Sequence, residues 1–280
     1  MTLVTPDWLA DRLGKVTVLD ATWFMPDAGR DAAAEFLDAH IPGAIRFDID
    51  AVADQQSPLP HTLPSPDEFA RMVGAMGISN DSEVVVYEAA APFTAPRVWW
   101  MFRMMGHPVK ILDGGLKAWR EAGHPVEEGP ERTPSPATFH ARYEAAHFAD
   151  ADTVADALTG AATVVDARSA DRFYGEVPEP RPGIRPGHMP GALNLHYASL
   201  AGDDGHLLSR DALRTVFENA GVDLQKPVVT TCGSGVTAGI LALALDELGT
   251  PARVYDGSWT EWGGDPARPV TKEKASSSEH

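Results

Sequence analysis

Lys226-Pro-Val-Val-Thr-Thr-Cys232-Gly-Ser-Gly-Val-Thr-Ala-Gly-Ile-Leu-Ala-Leu-Ala-Leu-Asp-Glu-Leu-Gly249 reads as a strand, a loop and a helix in succession. Residues 228–231 form a short β-branched run of the kind that makes a buried strand. Residues 237–248 are apolar on most helical faces, which marks a buried helix. Cys232 is the only cysteine in 280 residues, and it stands at the mouth of the loop between them. The residues after it, Gly233, Ser234, Gly235, Val236 and Thr237, are small or β-branched. Such a loop can turn its backbone N–H groups inward around one point. Those donors and the positive end of the helix favour an anion there. A thiol in such surroundings is favoured as thiolate, which describes a nucleophilic or sulfur-carrying cysteine.

Working outward, the chain repeats itself. Val18-Leu-Asp-Ala-Thr22 matches Val164-Val-Asp-Ala-Arg168, and His40-Ile-Pro-Gly-Ala44 matches His188-Met-Pro-Gly-Ala192. Val84-Val-Val-Tyr-Glu88 matches Val228-Val-Thr-Thr-Cys232, and Ile111-Leu-Asp-Gly-Gly115 matches Val254-Tyr-Asp-Gly-Ser258. The offsets, 146, 148, 144 and 143 residues in that order, are nearly constant. A period this long is not that of a solenoid and means two copies of one domain. In the first copy, residues 16–20, 44–48, 84–87 and 109–112 read as strands, and 66–76 and 95–105 as helices. That alternation predicts α/β domains, each a mainly parallel sheet flanked by helices. The expected limits are a first domain over 1–130, a linker over 131–149, a second domain over 150–270 and a frayed polar tail over 271–280. Glu88 stands where the second copy has Cys232, so cysteine chemistry is confined to the second domain. His40 and His188 occupy paired positions, which favours a structural role for both.

Composition narrows the function classes. A hydrophobic content of 44% supports real cores, and a net charge of −17 makes nucleic-acid and membrane partners poor candidates. No secretory signal or membrane-spanning run is visible. The single cysteine suits a reducing cytoplasm and leaves no internal partner for a disulfide. No Cys/His cluster has metal-ligand spacing, and no cofactor is expected.

Three chemistries compete for the Cys232 loop. Gly233-Ser-Gly235-Val-Thr-Ala238 fits the dinucleotide pattern G-x-G-x-x-G/A, with Asp256 a candidate ribose acid. Against it, little chain remains to complete a nucleotide domain, and the sister loop has no glycines. A cysteine phosphatase loop needs an arginine six residues after the cysteine, where Ala238 stands. A sulfur-transfer loop needs only the thiol and the inward amides. An inert buried cysteine is the plainer reading of a lone Cys before a helix, and the two glycines weigh against it.

Cys232-Gly-Ser-Gly-Val-Thr237 resembles the active loop of the 3-mercaptopyruvate sulfurtransferases of the rhodanese superfamily. The tandem layout is similar too, as are Trp23, His40-Ile-Pro-Gly-Ala44, Pro96-Arg-Val-Trp-Trp100 and Asp256-Gly-Ser-Trp-Thr-Glu-Trp262. The resemblance spans roughly residues 3–270 and implies two rhodanese-like domains, the first catalytically silent. It implies sulfur transfer from 3-mercaptopyruvate through a persulfide on Cys232 to a thiol, such as reduced thioredoxin, or to cyanide, with release of pyruvate. It assigns Arg172 and Arg181 to substrate binding, and guanidinium forks suit a carboxylate and a ketone oxygen. It also implies a relay of Ser234, His61 and Asp50 that protonates the departing enolate. Thiosulfate-using relatives carry basic residues after the cysteine, so Gly233 and Ser234 point to mercaptopyruvate. The alternatives are a thiosulfate sulfurtransferase, a non-catalytic binding module of the same fold and a nucleotide-binding enzyme.

Overall fold

The computed structural model describes residues 2–25, 28–89 and 93–273. Short β-branched runs separated by helices have formed two sheets of five parallel strands each. The first holds Leu3–Val4 (β1), Thr17–Asp20 (β2), Ile45–Arg46 (β3), Val84–Tyr87 (β4) and Val109–Leu112 (β5). The second holds Phe148–Ala149 (β6), Thr163–Asp166 (β7), Leu193–Asn194 (β8), Val228–Thr231 (β9) and Ala252–Tyr255 (β10). Their orders, β1-β5-β4-β2-β3 and β6-β10-β9-β7-β8, superimpose term by term. Two tandem α/β domains of one kind are therefore present, as the repeat predicts. Helices cover the faces of parallel sheets, so the central strands β4 and β9 are buried at every residue. The expected strand over 44–48 shrinks to two residues, and β1 and β6 were not foreseen, being too short to carry a period.

The paired histidines play the same part twice. His40 Nδ1 lies 2.8 Å from the Phe36 carbonyl and stacks on that ring at 3.9 Å. His188 Nδ1 lies 2.9 Å from the Phe173 carbonyl and stacks at 3.8 Å.

The two domains share one core. The helix Ala95–Met104 packs on the helix Ala238–Leu248, and Trp100, Met101 and Phe102 join Ile240, Leu241 and Leu245 in one buried cluster. Gly239 permits this approach, because a Cβ there would meet the Arg97 backbone at 3.0 Å. The stretch between the sheets is no loose tether. Ala137 and Arg142 donate backbone hydrogen bonds to Gly74 and Met105, and Phe139 is buried against Phe69 and Phe102. At the end of the chain Thr271 pairs with His188. Of the expected frayed tail, residues 274–280 lie outside the described residues.

Candidate active site

Cys232 sits at the carboxyl end of β9, the middle strand of its sheet, where open parallel sheets place their ligands. The residue is 2% exposed and its thiol is free. The loop that follows is held from behind. The Cys232 N–H donates to Ser258 Oγ at 3.2 Å, and the Gly233 carbonyl accepts from the Thr260 N–H and hydroxyl at 2.9 and 2.7 Å. Gly235 has φ +80°, and a Cβ there would meet the Asp256 carbonyl at 2.6 Å, so glycine is required. Among the described residues, no group accepts the N–H groups of residues 233–237. Among the described residues no hydrogen bond is made by the Ser234 hydroxyl, and the Thr237 hydroxyl does not cap its helix. Five amides and two hydroxyls at a helix start thus form a donor-rich loop.

A cavity of about 230 Å³ opens beside this loop. Cys232, Gly233, Ser234, Val236 and Thr237 line it on one side, and Arg172 and Arg181 on another. Gly235 turns away from it. Trp23 and Phe93 of the first domain and Tyr197 of the second complete an aromatic wall, with ring centroids 6.1 and 5.5 Å apart. Arg172 is anchored by Glu179, whose buried carboxylate also takes Arg168 at 2.8 Å. Arg168 is in turn clamped to Asp166 at the end of β7. Arg181 makes no hydrogen bond or ion pair among the described residues. Burial pushes its guanidinium below the ordinary value, with Arg172 adding to the effect and Cys232, Glu179 and Asp50 opposing it. In a chain of net charge −17, two arginines over one thiol make this cavity locally attractive to an anion.

Asp50 and His61 come together, as the relay requires, 2.8 Å apart between Oδ1 and Nδ1 but off the line of a straight ring N–H bond. Asp50 Oδ2 accepts from Trp23 Nε1 at 2.7 Å. Burial lowers the His61 imidazole to about 4. Asp50 opposes that fall, while Arg97 and Arg181 add to it. His61 is therefore neutral near pH 7. Its Nε2 is buried without a partner, and Ser234 is not hydrogen-bonded to it among the described residues. The third link of the relay is not made.

Several contributors escaped the sequence. Arg97 and Asp256 pair at 2.6 Å beside the loop, and Glu179 orients Arg172. Arg97 and Asp256 lie in segments of recognised resemblance, and Glu179 stands two residues before Arg181, yet no spacing rule gave Arg97 or Glu179 a task, and the one that singled out Asp256 gave it the wrong one. Asp256 is committed to Arg97 and to the Leu63 N–H at 2.7 Å, so it does not serve as a ribose acid.

The Rhodanese-like domain family matches residues 5–122 and 150–265. The chain is 42% identical to the 3-mercaptopyruvate sulfurtransferase of Homo sapiens over 271 residues, 93% of this chain and 91% of that one. It is 43% identical to the thiosulfate sulfurtransferase of Bos taurus over 272 residues, again 93% and 91%. Its fold matches the crystal structure of a 3-mercaptopyruvate sulfotransferase from Escherichia coli with a TM-score of 0.84. That likeness has 39% identity and covers 92% of this chain and 99% of the other.

Proposed function

This chain belongs to the rhodanese-like domain family, and from that premise we propose that it is a 3-mercaptopyruvate sulfurtransferase. The observation that carries the reading is a lone thiol at a donor-rich amide loop with two arginines in the same cavity. Arg172 and the unpaired Arg181 take the substrate's carboxylate and ketone oxygen. The Cys232 thiolate attacks the substrate sulfur. The new S–S bond forms as the C–S bond breaks, and its electron pair leaves on carbon as the enolate of pyruvate. That carbon takes a proton from the Ser234 hydroxyl, and water returns the proton to Ser234 through His61 in the proposed relay. The persulfide then rests among the amides of residues 233–237, with Thr237 a further donor. An acceptor thiolate takes the outer sulfur and returns the Cys232 thiolate. Reduced thioredoxin is the proposed acceptor, and cyanide serves in an assay.

The first domain supplies Trp23 and Phe93 to the cavity, with Asp50 and His61 packed against Trp23. We draw its limits at 1–130, with 131–149 as connector and 150–270 as the catalytic domain. No helix among the described residues is long and apolar enough to cross a membrane. We assign the protein to the cytoplasm, where a lone free thiol stays reduced.

Similarity to a thiosulfate sulfurtransferase keeps a second donor in view. Gly233 and Ser234 offer no basic side chain to a sulfonate, which favours mercaptopyruvate. Steady-state kinetics with both donors test the assignment. A higher kcat/KM for mercaptopyruvate is expected, and a higher value for thiosulfate would overturn it.

A further inference from the structure

One guanidinium ties the two halves of the site together, and it comes from the domain without the cysteine. Arg97 lies in the first turn of the helix Ala95–Met104 and is fully buried. Its Nη2 donates to the His61 carbonyl at 2.5 Å, and its Nη1 donates to the Gly235 carbonyl at 3.3 Å. Nη1 also lies 2.6 Å from Asp256 Oδ1, while Asp256 Oδ2 accepts the Leu63 N–H. The guanidinium carbon packs over the Trp100 ring at 4.4 Å. Arg97 and Asp256 thus hold residues 61–63 of one domain and Gly235 of the other in a single frame. His61 needs such support, because it has φ +60°, a region that costs a residue with a Cβ.

The repeat shows that this frame belongs to one site only. Asp113, the counterpart of Asp256, takes the Leu207 N–H at 3.0 Å, so the aspartate bracket occurs on both sides of the molecule. Counted from the helix caps Thr94 and Thr237, the counterpart of Arg97 is Ile240. The bracket is duplicated; the arginine stands only where it reaches the cysteine loop.

We propose that Arg97 is a positioning residue of the sulfur-transfer site, setting the Cys232 loop and the His61 segment in register across the domain boundary. This rests on the sulfur-transfer reading of Cys232. Arg97→Lys keeps the charge and loses the fork. In folded Arg97→Lys, kcat for pyruvate release should fall roughly 10- to 100-fold, the cost of misplacing a reacting group. KM should stay near the wild-type value, because Arg172 and Arg181 are untouched. A wild-type kcat, or a loss carried wholly by KM, would overturn the proposal. If Arg97→Lys does not fold, Arg97→Gln with Asp256→Asn replaces the buried ion pair by a neutral one, and the same outcomes apply. Alkylation of Cys232 by iodoacetamide, without any sulfur donor, reads the loop independently and should slow in these variants. Unchanged alkylation and unchanged turnover would sink the role of Arg97 alone. Wild-type protein that alkylates but takes no sulfur would sink the sulfur-transfer reading alone.

Discussion

At the end of β4, Glu88 folds its carboxylate back into the mouth of its own loop; at the end of β9, Cys232 leaves the equivalent mouth open. Glu88 accepts from the N–H groups of Phe93, Thr94 and Ala95 at 2.7, 2.9 and 3.1 Å, and from the Thr94 hydroxyl at 3.1 Å. The first domain therefore shows what this strand–loop–helix unit holds, namely a hydrogen-bond acceptor against a helix N-terminus. The second domain keeps the donors and withdraws the built-in acceptor. A short thiol in place of a long carboxylate leaves room for one more atom, and Arg172 and Arg181 line the cavity on that side.

The comparison breaks most sharply at the thiol. Cys232→Ser should reduce turnover on the order of 10⁴-fold or more, and a second change, Glu88→Cys, should not restore it. Rescue by the thiol at position 88 would mean that the amide loop suffices without Arg172 and Arg181. Loop shape comes next. Gly235→Ala forces a Cβ to 2.6 Å from the Asp256 carbonyl at φ +80°, and kcat should fall roughly 100-fold, checked by pyruvate release. A near-normal kcat would show that the loop conformation is dispensable.

The arginines and the histidine follow. Arg181→Lys keeps the charge but loses a bidentate contact worth about 2 kcal/mol, so kcat/KM should drop about 30-fold. Unchanged kinetics would remove Arg181 as a substrate clamp. His61→Ala should lower kcat about tenfold, below the usual range of a positioned acid–base group, because water can protonate the enolate. Unchanged turnover would leave the Ser234 relay without support.

The last effect lies in the Glu88 loop and concerns stability rather than turnover. Burial raises the Glu88 carboxyl from 4.5 to about 7 against the hydrogen bonds from Thr94, Phe93 and Ala95. A group that binds its proton more tightly when folded stabilises fully below its unfolded value and loses that contribution as pH rises through the folded one. The loss is on the order of 3 kcal/mol. Between about pH 5 and pH 8, wild-type Tm should fall relative to Glu88→Gln, with kcat unaffected. Parallel Tm curves would show that Glu88 does not titrate in that window.

Much of this was legible in the sequence, for local reasons. The β-branched runs at 84–87 and 228–231, the apolar helix after Cys232 and the near-constant offset between copies fix two α/β domains. Glycines at 233 and 235 beside a single cysteine mark the loop. What stayed hidden depends on contacts between residues distant in the chain. Arg97 reads as a charge interrupting an apolar helix until His61 and Gly235 are seen around it. Glu179 looks like one more acidic residue in a Pro-rich stretch. The 137–144 segment looks like a tether because its anchors, Gly74, Met104 and Met105, lie far back in the chain. The link from Ser234 to His61 was inferred by resemblance and has no hydrogen bond among the described residues, while Asp50 and His61 stand close without the alignment of one.

Intact mass measurement after incubation with 3-mercaptopyruvate, followed by peptide mapping, tests the central claim. The expected result is one added sulfur atom per chain, located on Cys232 and removed by reduced thiol, with an equal amount of pyruvate released. Protein that gains no sulfur at Cys232 and releases no pyruvate would contradict it.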